Sequence, residues 1–496
     1  MPFFSRYSNS LLLQQKKSII SGANTFLNGN GANIFTVPTG VSRIHAVAVG
    51  GGGTGKGARG TQHAGGGGGG LGWVNDKSVT AGQQLLVYAG HGGNASVCST
   101  TNWERAIYEE AYGQDSFIGT LDATITNCSA ANTATPITAD ISVNCTSTTG
   151  LTSGMRVVVG SGSGKLQNRT TVVSVTNSTA FIISAVPIRT LSAATIYASS
   201  NVFVSGYGGK YADGFNSASG ISSSSYVNFL GGVGGSYIGD GGGNGGTGGD
   251  VGYYFNDSTT YGGSGGGGGG AGGYSGNGGN GGRSNNSNAS APVAGSSGSG
   301  GGGGGGCGSY WGPVSSGYST IVGSHGGGVG LYGRTTGAAA GGTLYGQGPG
   351  QSGIGGSGGG ISNNNIVIST TYSGATFSGS LSNRNVTASS TPNFSVIKAG
   401  WSAAGLTSTP FSTSDMWLST KSTSTSGTMS FQYASSGTGS TTGDIRYWHS
   451  GRVQDETDLL YGAGSAGGSS VNGGRGAVRI IWGSGRAFPN TNVSTD

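Results

Sequence analysis

Charge is scarce in this sequence, and its scarcity argues against a protein that binds nucleic acid. Only 8% of the 496 residues are charged, and the formal net charge of +6 is spread thinly. The longest run of basic residues is Lys16–Lys17, whereas a nucleic-acid binder concentrates its basic residues on one face. We therefore expect no nucleic acid among the partners of this protein.

Residues that carry enzyme or metal chemistry are also few. The four cysteines (Cys98, Cys128, Cys145, Cys307) form no CxxC pair, so they predict neither a disulfide framework nor a zinc site. The five histidines show no HxxxH or HExxH spacing, there are only four glutamates, and no GxSxG lies in a strand–turn–helix setting. We expect no catalytic residue, no metal and no cofactor, and a protein that is not an enzyme.

Long apolar runs and helix signals are missing too. The N-terminal region has a run of three leucines followed by Lys16–Lys17, which is too short for a secretory signal or a membrane span. We expect synthesis in a cytoplasm and no membrane insertion. The best helix candidate is "WERAIYEEAY", in which Trp103, Ile107 and Ala111 fall on one face.

Glycine is what the sequence has in excess. It supplies 110 residues, about three times its usual share of about 7%. Aromatic residues still make up 9%, which is unlike a disordered chain. The stretches "GGNGGTGGD" (Gly242–Asp250) and "GGNGGR" (Gly278–Arg283) repeat every three residues.

A three-residue period matches the polyproline-II helix, which has three residues per turn and no internal hydrogen bonds. Two glycine edges per turn let neighbouring helices approach and bond backbone to backbone, while the third residue faces solvent. Ten prolines and no strict G-X-Y period exclude collagen. The alternative is a set of flexible glycine-rich linkers.

Apolar residues at every second position predict strands near both ends of the chain. Ile44, Ala46 and Ala48 alternate with Arg43, His45 and Val47, and Leu85 and Val87 alternate with Leu86 and Tyr88. Val478, Ile480 and Trp482 share one face of a strand near the C-terminus. A β-unit that opens near residue 34 and closes near residue 483 requires most of the chain to be inserted between its strands.

Two low-glycine stretches, 120–205 and 362–450, have closely spaced short strands and turn signals. We therefore predict an all-β fold: a glycine-rich β-sandwich with a packed polyglycine-II helix region and two inserted small β-modules. The predicted divisions are an attachment arm (1–34), the first part of the glycine-rich β-domain (35–119), a β-module (120–205), a polyglycine-II-like region (206–361), a second β-module (362–450), and a closing strand with a C-terminal tail (451–496).

The stretch "GGGGTGKG" (Gly50–Gly57) nearly spells a phosphate-binding loop. Its last position is Gly57 in place of the serine or threonine that holds Mg²⁺, and no helix is predicted after it. Near-misses of this kind are expected in such a glycine-rich chain, so we do not predict nucleotide binding.

Aromatic residues punctuate the glycine tracts and are the candidate receptor contacts. Rigid aromatic rings among Gly, Ser and Asn give a large contact area at a low entropy cost. The alternative is that these rings close the ends of the glycine region or pack on the β-modules. The candidates are Tyr253, Tyr254, Tyr310, Trp311, Tyr318, Tyr332 and Tyr345.

Three stretches together resemble a known family. "FTVPTGVSRIHAVAVGGGG", "AGGGGGGLGWVNDKSVTAGQQLLVYAGHGG" and "GQDSFIGTL" are similar to the glycine-rich domain of bacteriophage tail and tail-fibre proteins. The ending "GGRGAVRIIWGSGRAFPNTN" resembles virion structural proteins of marine phages, particularly cyanophages. The resemblance is specific for 35–119 and 470–492, and it does not cover the two β-modules. In simpler relatives, a glycine-rich segment directly follows the S-F-G-like stretch. In this chain, Thr120–Ser205 is inserted between the two.

The resemblance implies a virion structural protein, a tail fibre or tail-tip adhesin that contacts the host cell surface. It implies other virion proteins and a host polysaccharide or outer-membrane protein as partners, and a homo-oligomer, with a trimer as the first expectation. Its place would be the virion, in the tail rather than the capsid. The alternatives are a capsid decoration protein or head fibre, a depolymerase, and an ice-binding glycine-helix protein.

Overall fold

The computed structural model describes residues 21–27, 31–55, 64–94, 110–133, 139–212, 226–254, 266–283, 295–306, 308, 325–331, 333, 461–465, 467 and 472–489, with further strands between 367 and 449. For Leu27, 226–229, 252–254 and those further strands, only the backbone is described. Every named element in this part of the chain is a β-strand, which confirms the all-β prediction. In these ranges, no helix has the length and apolar character needed to cross a bilayer. Most of the predicted helix, 103–109, lies outside the described residues.

Two five-stranded antiparallel sheets form a sandwich. The first sheet has the order β1 (Gly22–Leu27), β24 (Ala477–Trp482), β3 (Arg43–Val49), β4 (Leu71–Ser78), β16 (Gly241–Gly243). The second sheet has the order β15 (Tyr237–Ile238), β13 (Val202–Gly206), β6 (Ser116–Thr120), β5 (Gln84–Tyr88), β2 (Ala32–Thr36).

The predicted alternation of side chains along these strands is confirmed. Ile44, Ala46 and Ala48 of β3 pack in one buried cluster with Leu85 and Val87 of β5, between the sheets. Two side chains of β3 that point the other way are also buried. Val47 and Val49 pack with Tyr274 and Tyr461, so both faces of the first sheet are buried, which accounts for the nearly continuous apolar composition of β3.

The last described strand completes a sheet that begins near the other end of the chain. β24 lies between β1 and β3, with Ile480 opposite Ala46 and Val478 opposite Phe26. β24 ends at Trp482 and is the last strand of this sheet in the chain. The sheet also includes Gly22–Leu27, so it starts inside the stretch 1–34 that the sequence assigns to an attachment arm.

A separate sheet is inserted between two strands that are neighbours in the second sheet. Phe117 of β6 lies opposite Ser205 of β13, and the chain between them forms a six-stranded sheet with its own apolar cluster around Phe181 and Ile196. Its order is β10 (Val172–Asn177), β11 (Ala180–Ile183), β8 (Ile141–Asn144), β7 (Ala123–Ala130), β12 (Arg189–Ser199), β9 (Arg156–Lys165). We refer to 123–199 as the inserted sheet.

Two further β-units are described by their backbones. β14 (Tyr226–Phe229) pairs with β17 (Val251–Tyr254) in a two-stranded ribbon. A closed barrel has the order β18 (Val367–Ser380), β19 (Asn385–Ser389), β22 (Met429–Gln432), β21 (Met416–Lys421), β20 (Ser402–Ala404), β23 (Thr438–His449).

Glycine segments outside the strands bond to one another with a period of three residues. In Gly65–Gly70, successive N–H groups donate to three different segments and then repeat the series. Gly65 donates to the carbonyl of Gly249 and Gly68 to that of Gly246, three residues along the same partner segment. In the same way, Gly66 and Gly69 donate to the carbonyls of Ser465 and Gly462. Gly67 and Gly70 donate to those of Lys210 and Tyr207, and all six distances are 2.7–2.9 Å.

The carbonyl groups of the same segment accept with the same period. The carbonyls of Gly65 and Gly68 accept from the N–H groups of Gly232 and Gly235. Those of Gly66 and Gly69 accept from Gly269 and Gly272. Those of Gly67 and Gly70 accept from Gly53 and Gly50, and all six distances are 2.8–2.9 Å. Every backbone polar group of Gly65–Gly70 therefore has a partner on another segment. These partners satisfy the groups that a glycine chain without side chains would otherwise leave unpaired.

Polar side chains close one edge of this network. Oδ1 of Asn277 accepts a hydrogen bond from the N–H of Asn244 at 3.0 Å, and Oδ1 of Asn280 accepts one from Thr247 at 2.9 Å. Asn244, Asn277 and Asn280 are exposed, whereas Thr247 and Asp250, which occupy the third position of the first repeat, are half-buried. The edge thus ends on side-chain acceptors instead of unpaired backbone donors.

Candidate functional site

Two of the predicted receptor contacts fall on a described strand. Tyr253 and Tyr254 belong to β17, opposite Val227 and Tyr226 of β14, and the backbone alone is described there. The other five, Tyr310, Trp311, Tyr318, Tyr332 and Tyr345, lie outside the described residues. The assignment of these seven residues to receptor contact stays a prediction.

Several charged residues meet at the junction between the second sheet and the inserted sheet. Asp115, just before β6, has a side chain only 1% exposed. Its Oδ2 accepts hydrogen bonds from Nη2 of Arg156 at 2.9 Å and from Nε of Arg169 at 3.0 Å. Its Oδ1 accepts one from the N–H of Gly208 at 2.8 Å. One buried carboxylate therefore joins both sheets to a glycine segment.

Aromatic rings hold the two arginines from a second direction. The guanidinium of Arg156 lies 4.0 Å from the ring centre of Phe117, and that of Arg169 lies 3.8 Å from the ring centre of Tyr207. A guanidinium over an aromatic face is attracted by the ring quadrupole. Stacking and ion pairing together restrict both side chains to one position.

In a second ion pair at this junction, the carboxylate is buried and the arginine is exposed. Nη2 of Arg189 lies 2.7 Å from Oε1 of Glu110, whose side chain is 7% exposed, whereas that of Arg189 is 67% exposed. The side chain of Arg169 is likewise 54% exposed beside the buried Asp115. The surface at this junction consequently presents the cations and conceals the carboxylates.

Arg156, Arg169 and Arg189 line a cleft of about 300 Å³, which we call the junction cleft. One wall is β9 with the loop after it, including Lys165, Asn168 and Arg169, and the opposite wall carries Tyr88 and His91. The volume is at the lower end of the range for small-molecule sites, roughly 300–1,000 Å³. Three glycines of β9 (Gly160, Gly162, Gly164) line the same wall, where an added Cβ would overlap Tyr197, Ala193 and Leu191 of β12.

The pKa values of the two titratable groups on the opposite wall reflect burial and positive charge. Burial lowers the pKa of His91, and the nearby cations Lys165 and Arg475 lower it further. Burial raises the pKa of Tyr88 to about 12, and its hydroxyl donates to Oε1 of Gln114 at 2.8 Å. Both groups are therefore neutral near pH 7, and the charge of the cleft comes from its arginines and lysine.

Hydrogen-bond donors predominate in the junction cleft. Nε of Arg156 is buried and has no hydrogen-bond partner among the described residues. A buried donor without a partner is costly unless a bound group satisfies it. The arrangement is suited to holding an anion. The buried carboxylates of Asp115 and Glu110 beside the cleft are both engaged by arginines, so neither is placed as a general base.

The sequence reasoning missed this cleft because its charges are dispersed along the chain. Asp115 is 41 positions from Arg156 and 54 from Arg169. Lys165 and Arg169 occur close together in "GKLQNR", but two basic residues separated by three positions are no signal by themselves. The fold brings them together with Arg156 and Arg189.

The two described cysteines, Cys128 and Cys145, are free thiols in the inserted sheet. Burial raises the pKa of Cys128 to about 12 and also raises that of Cys145. In the described ranges, no three His, Cys, Asp or Glu side chains lie together in a way that could hold a metal ion.

No protein-family model, curated protein or solved structure matches this chain. What the protein does must therefore be argued from its own residues, from the glycine network, the β-units attached to it and the junction cleft.

Proposed function

We propose that this chain is a structural protein of a tailed-phage virion, a tail fibre or tail-tip adhesin that contacts the host cell surface. We also propose that its glycine segments are polyglycine-II helices packed side by side. The observation that carries both proposals is the three-residue period of the hydrogen bonds made by Gly65–Gly70. A helix with three residues per turn presents its backbone groups in three directions, which matches donation to three segments in rotation.

Close packing of the segments supports this assignment. A Cβ added at Gly68 would overlap the carbonyl oxygen of Gly270, and one added at Gly65 would overlap that of Gly267. The segments thus approach at backbone contact distance, where only glycine fits. A body held by backbone hydrogen bonds needs few charges and little apolar side-chain core, in keeping with the composition of the chain.

Such a body would serve as a stiff support for the parts that meet a host. The inserted sheet and the barrel of β18–β23 each leave the glycine-rich unit as a compact β-unit. The candidate contacts Tyr310, Trp311 and Tyr318 fall in sequence between two bonded glycine segments, 302–306 and 325–330. Loops can vary while a hydrogen-bonded support stays constant, and this is how binding specificity is commonly arranged.

In this proposal, residues 1–20 dock on other virion proteins and the chain assembles as a trimer in the tail. The sheet starts at Gly22, so only the residues before it are free to serve as an arm. The ligand would be a polysaccharide or an outer-membrane protein on the host.

The proposal is tested with the full chain and with a variant lacking residues 1–20. Both are measured for binding to intact host cells and for competition with phage adsorption, and mass photometry gives their oligomeric state. Saturable binding that blocks adsorption and survives loss of residues 1–20 supports an adhesin. Absence of binding, with residues 1–20 needed for incorporation into particles, would instead identify a decoration protein or head fibre.

A further inference from the structure

We infer that the junction cleft binds an acidic saccharide, with the carboxylate or sulfate of one sugar unit against Arg169 and Lys165. The site follows from the geometry of the cleft. The source of the ligand, a polysaccharide on the host surface, rests on the proposed function.

The first argument is the sign of the exposed charge. The cleft gathers four basic side chains (Arg156, Lys165, Arg169, Arg189) from a chain that has 23 in 496 residues. Its two carboxylates, Asp115 and Glu110, are 1% and 7% exposed and lie behind the arginines. A ligand entering the cleft therefore meets positive charge in a partly enclosed space, where electrostatic attraction is screened less than on an open surface.

The second argument is that the cationic groups are already ordered. Arg169 is fixed by the carboxylate of Asp115 and by the ring of Tyr207. Arg156 is fixed by the same carboxylate and by Phe117, and its buried Nε still lacks a partner. Binding an anion would then cost little side-chain entropy, which raises affinity for a given set of contacts.

The third argument selects a sugar among possible anions. The exposed hydroxyl group of Ser161 lines the cleft beside the cations and can bond to the hydroxyl groups of a sugar. The exposed backbone of β9 at Gly162 borders the cleft beside this hydroxyl and can also bond to a sugar. Tyr88 is the aromatic side chain of this lining in the described part of the chain, and its hydroxyl is bound to Gln114. Nucleic-acid sites instead offer aromatic faces for base stacking.

Isothermal titration calorimetry on the full chain tests the inference. The probes are a β-1,4-linked glucuronate tetramer, a sulfated glucose tetramer, the neutral glucose tetramer of the same linkage, inorganic sulfate and a single-stranded DNA oligonucleotide. We expect one acidic tetramer to bind per chain, with an affinity that falls as salt is added, and the neutral tetramer to bind at least about tenfold more weakly. The carboxylated and sulfated probes distinguish the two anionic groups.

Variants locate the binding. Lys165→Gln and Arg169→Gln should each weaken binding of the acidic tetramer about tenfold, since each removes one charged hydrogen bond. Asp115 keeps Arg156 and Gly208 as partners when Arg169 is replaced. The matched control is Arg43→Gln on β3, whose side chain is 62% exposed outside the cleft and which should leave the affinity unchanged. A thermal melt of each variant verifies that it is folded.

Several results would overturn the inference. Equal binding of the neutral and acidic tetramers, tighter binding of sulfate ion or DNA than of the tetramers, or unchanged affinity in folded Lys165→Gln and Arg169→Gln would each do so. If the full chain binds host cells and the two variants bind them equally well, the adhesin proposal stands and this inference fails. If the acidic tetramer binds in the cleft but the chain does not bind cells, the inference stands and the adhesin proposal fails.

Discussion

Nη2 of Arg156 donates a 2.9 Å hydrogen bond to Oδ2 of Asp115 across the boundary between the inserted sheet and the sandwich. The side chain of Arg156 is 11% exposed and that of Asp115 is 1% exposed. Removing one partner from such a pair leaves a buried charge without compensation, which costs far more than the pair contributes when both are present.

We therefore predict that Asp115→Asn lowers the free energy of unfolding by about 3 kcal/mol, measured by urea denaturation. Arg43→Ala is the control, because Arg43 and Asp76 are 3.9 Å apart with both side chains more than 60% exposed. That pair should contribute under about 0.5 kcal/mol. Similar effects in the two variants would contradict the role given to Asp115.

A methyl group at Gly68 should disrupt the glycine network. The added Cβ would meet the carbonyl oxygen of Gly270, which is backbone and cannot rotate away. We predict that Gly68→Ala destabilises the protein by at least about 2 kcal/mol, seen as a lower thermal midpoint.

Thr247→Ala is the matched comparison for Gly68→Ala. Thr247 occupies the third position of the repeat and already has a Cβ, and its backbone N–H bonds to Asn280. It should change stability by less than about 0.5 kcal/mol. Equal midpoints for the two variants would show that the segments are less tightly packed than described.

The asparagines at the edge of the network should protect it from self-association. Asn277→Ala together with Asn280→Ala removes the acceptors for the N–H groups of Asn244 and Thr247. Because this edge is exposed, water replaces the lost acceptors and stability should fall by only about 1 kcal/mol for each. Unpaired backbone donors along an edge are a template for pairing with another chain, so sedimentation should reveal concentration-dependent association in the variant. Unchanged sedimentation would rule out this protective role.

Acid should weaken the fold through His325. Burial lowers the pKa of His325 to about 4 from an ordinary value of 6.5. Between these two values the unfolded chain binds a proton that the folded chain does not, so the free energy of unfolding falls as pH falls from 6.5 to 4. We predict that His325→Gln reduces the slope of stability against pH in this window, measured by urea denaturation at a series of pH values. Parallel curves for the two proteins would contradict the assignment.

The two-residue apolar period of the sequence located the strands whose side chains face the core of the sandwich. β3, β5 and β24 could be placed because their apolar residues recur at every second position and face a common core. β1 could not, since Gly22–Leu27 is an edge strand with Asn24 and Thr25 exposed, and its residues show no two-residue apolar period. Its place in the sheet comes from backbone pairing with β24.

The junction cleft could not be predicted from the sequence for a different reason. Its members are common surface residue types, and each has an ordinary local setting. What distinguishes them is that Asp115 is buried where Arg156 and Arg169 meet, a property of how the inserted sheet sits on the sandwich. Local patterns do not encode an approach between segments so far apart in sequence.

The position of β24 also has a consequence for how the molecule is made. Because β24 lies between β1 and β3, the first sheet cannot close until the ribosome has translated almost the entire described chain. The glycine network has the same requirement, since the N–H of Gly55 bonds to Oγ of Ser465, 410 positions away. Contacts of such sequence separation form slowly. The inserted sheet, whose contacts lie within 123–199, can fold early on the ribosome, while the glycine segments await their C-terminal partners.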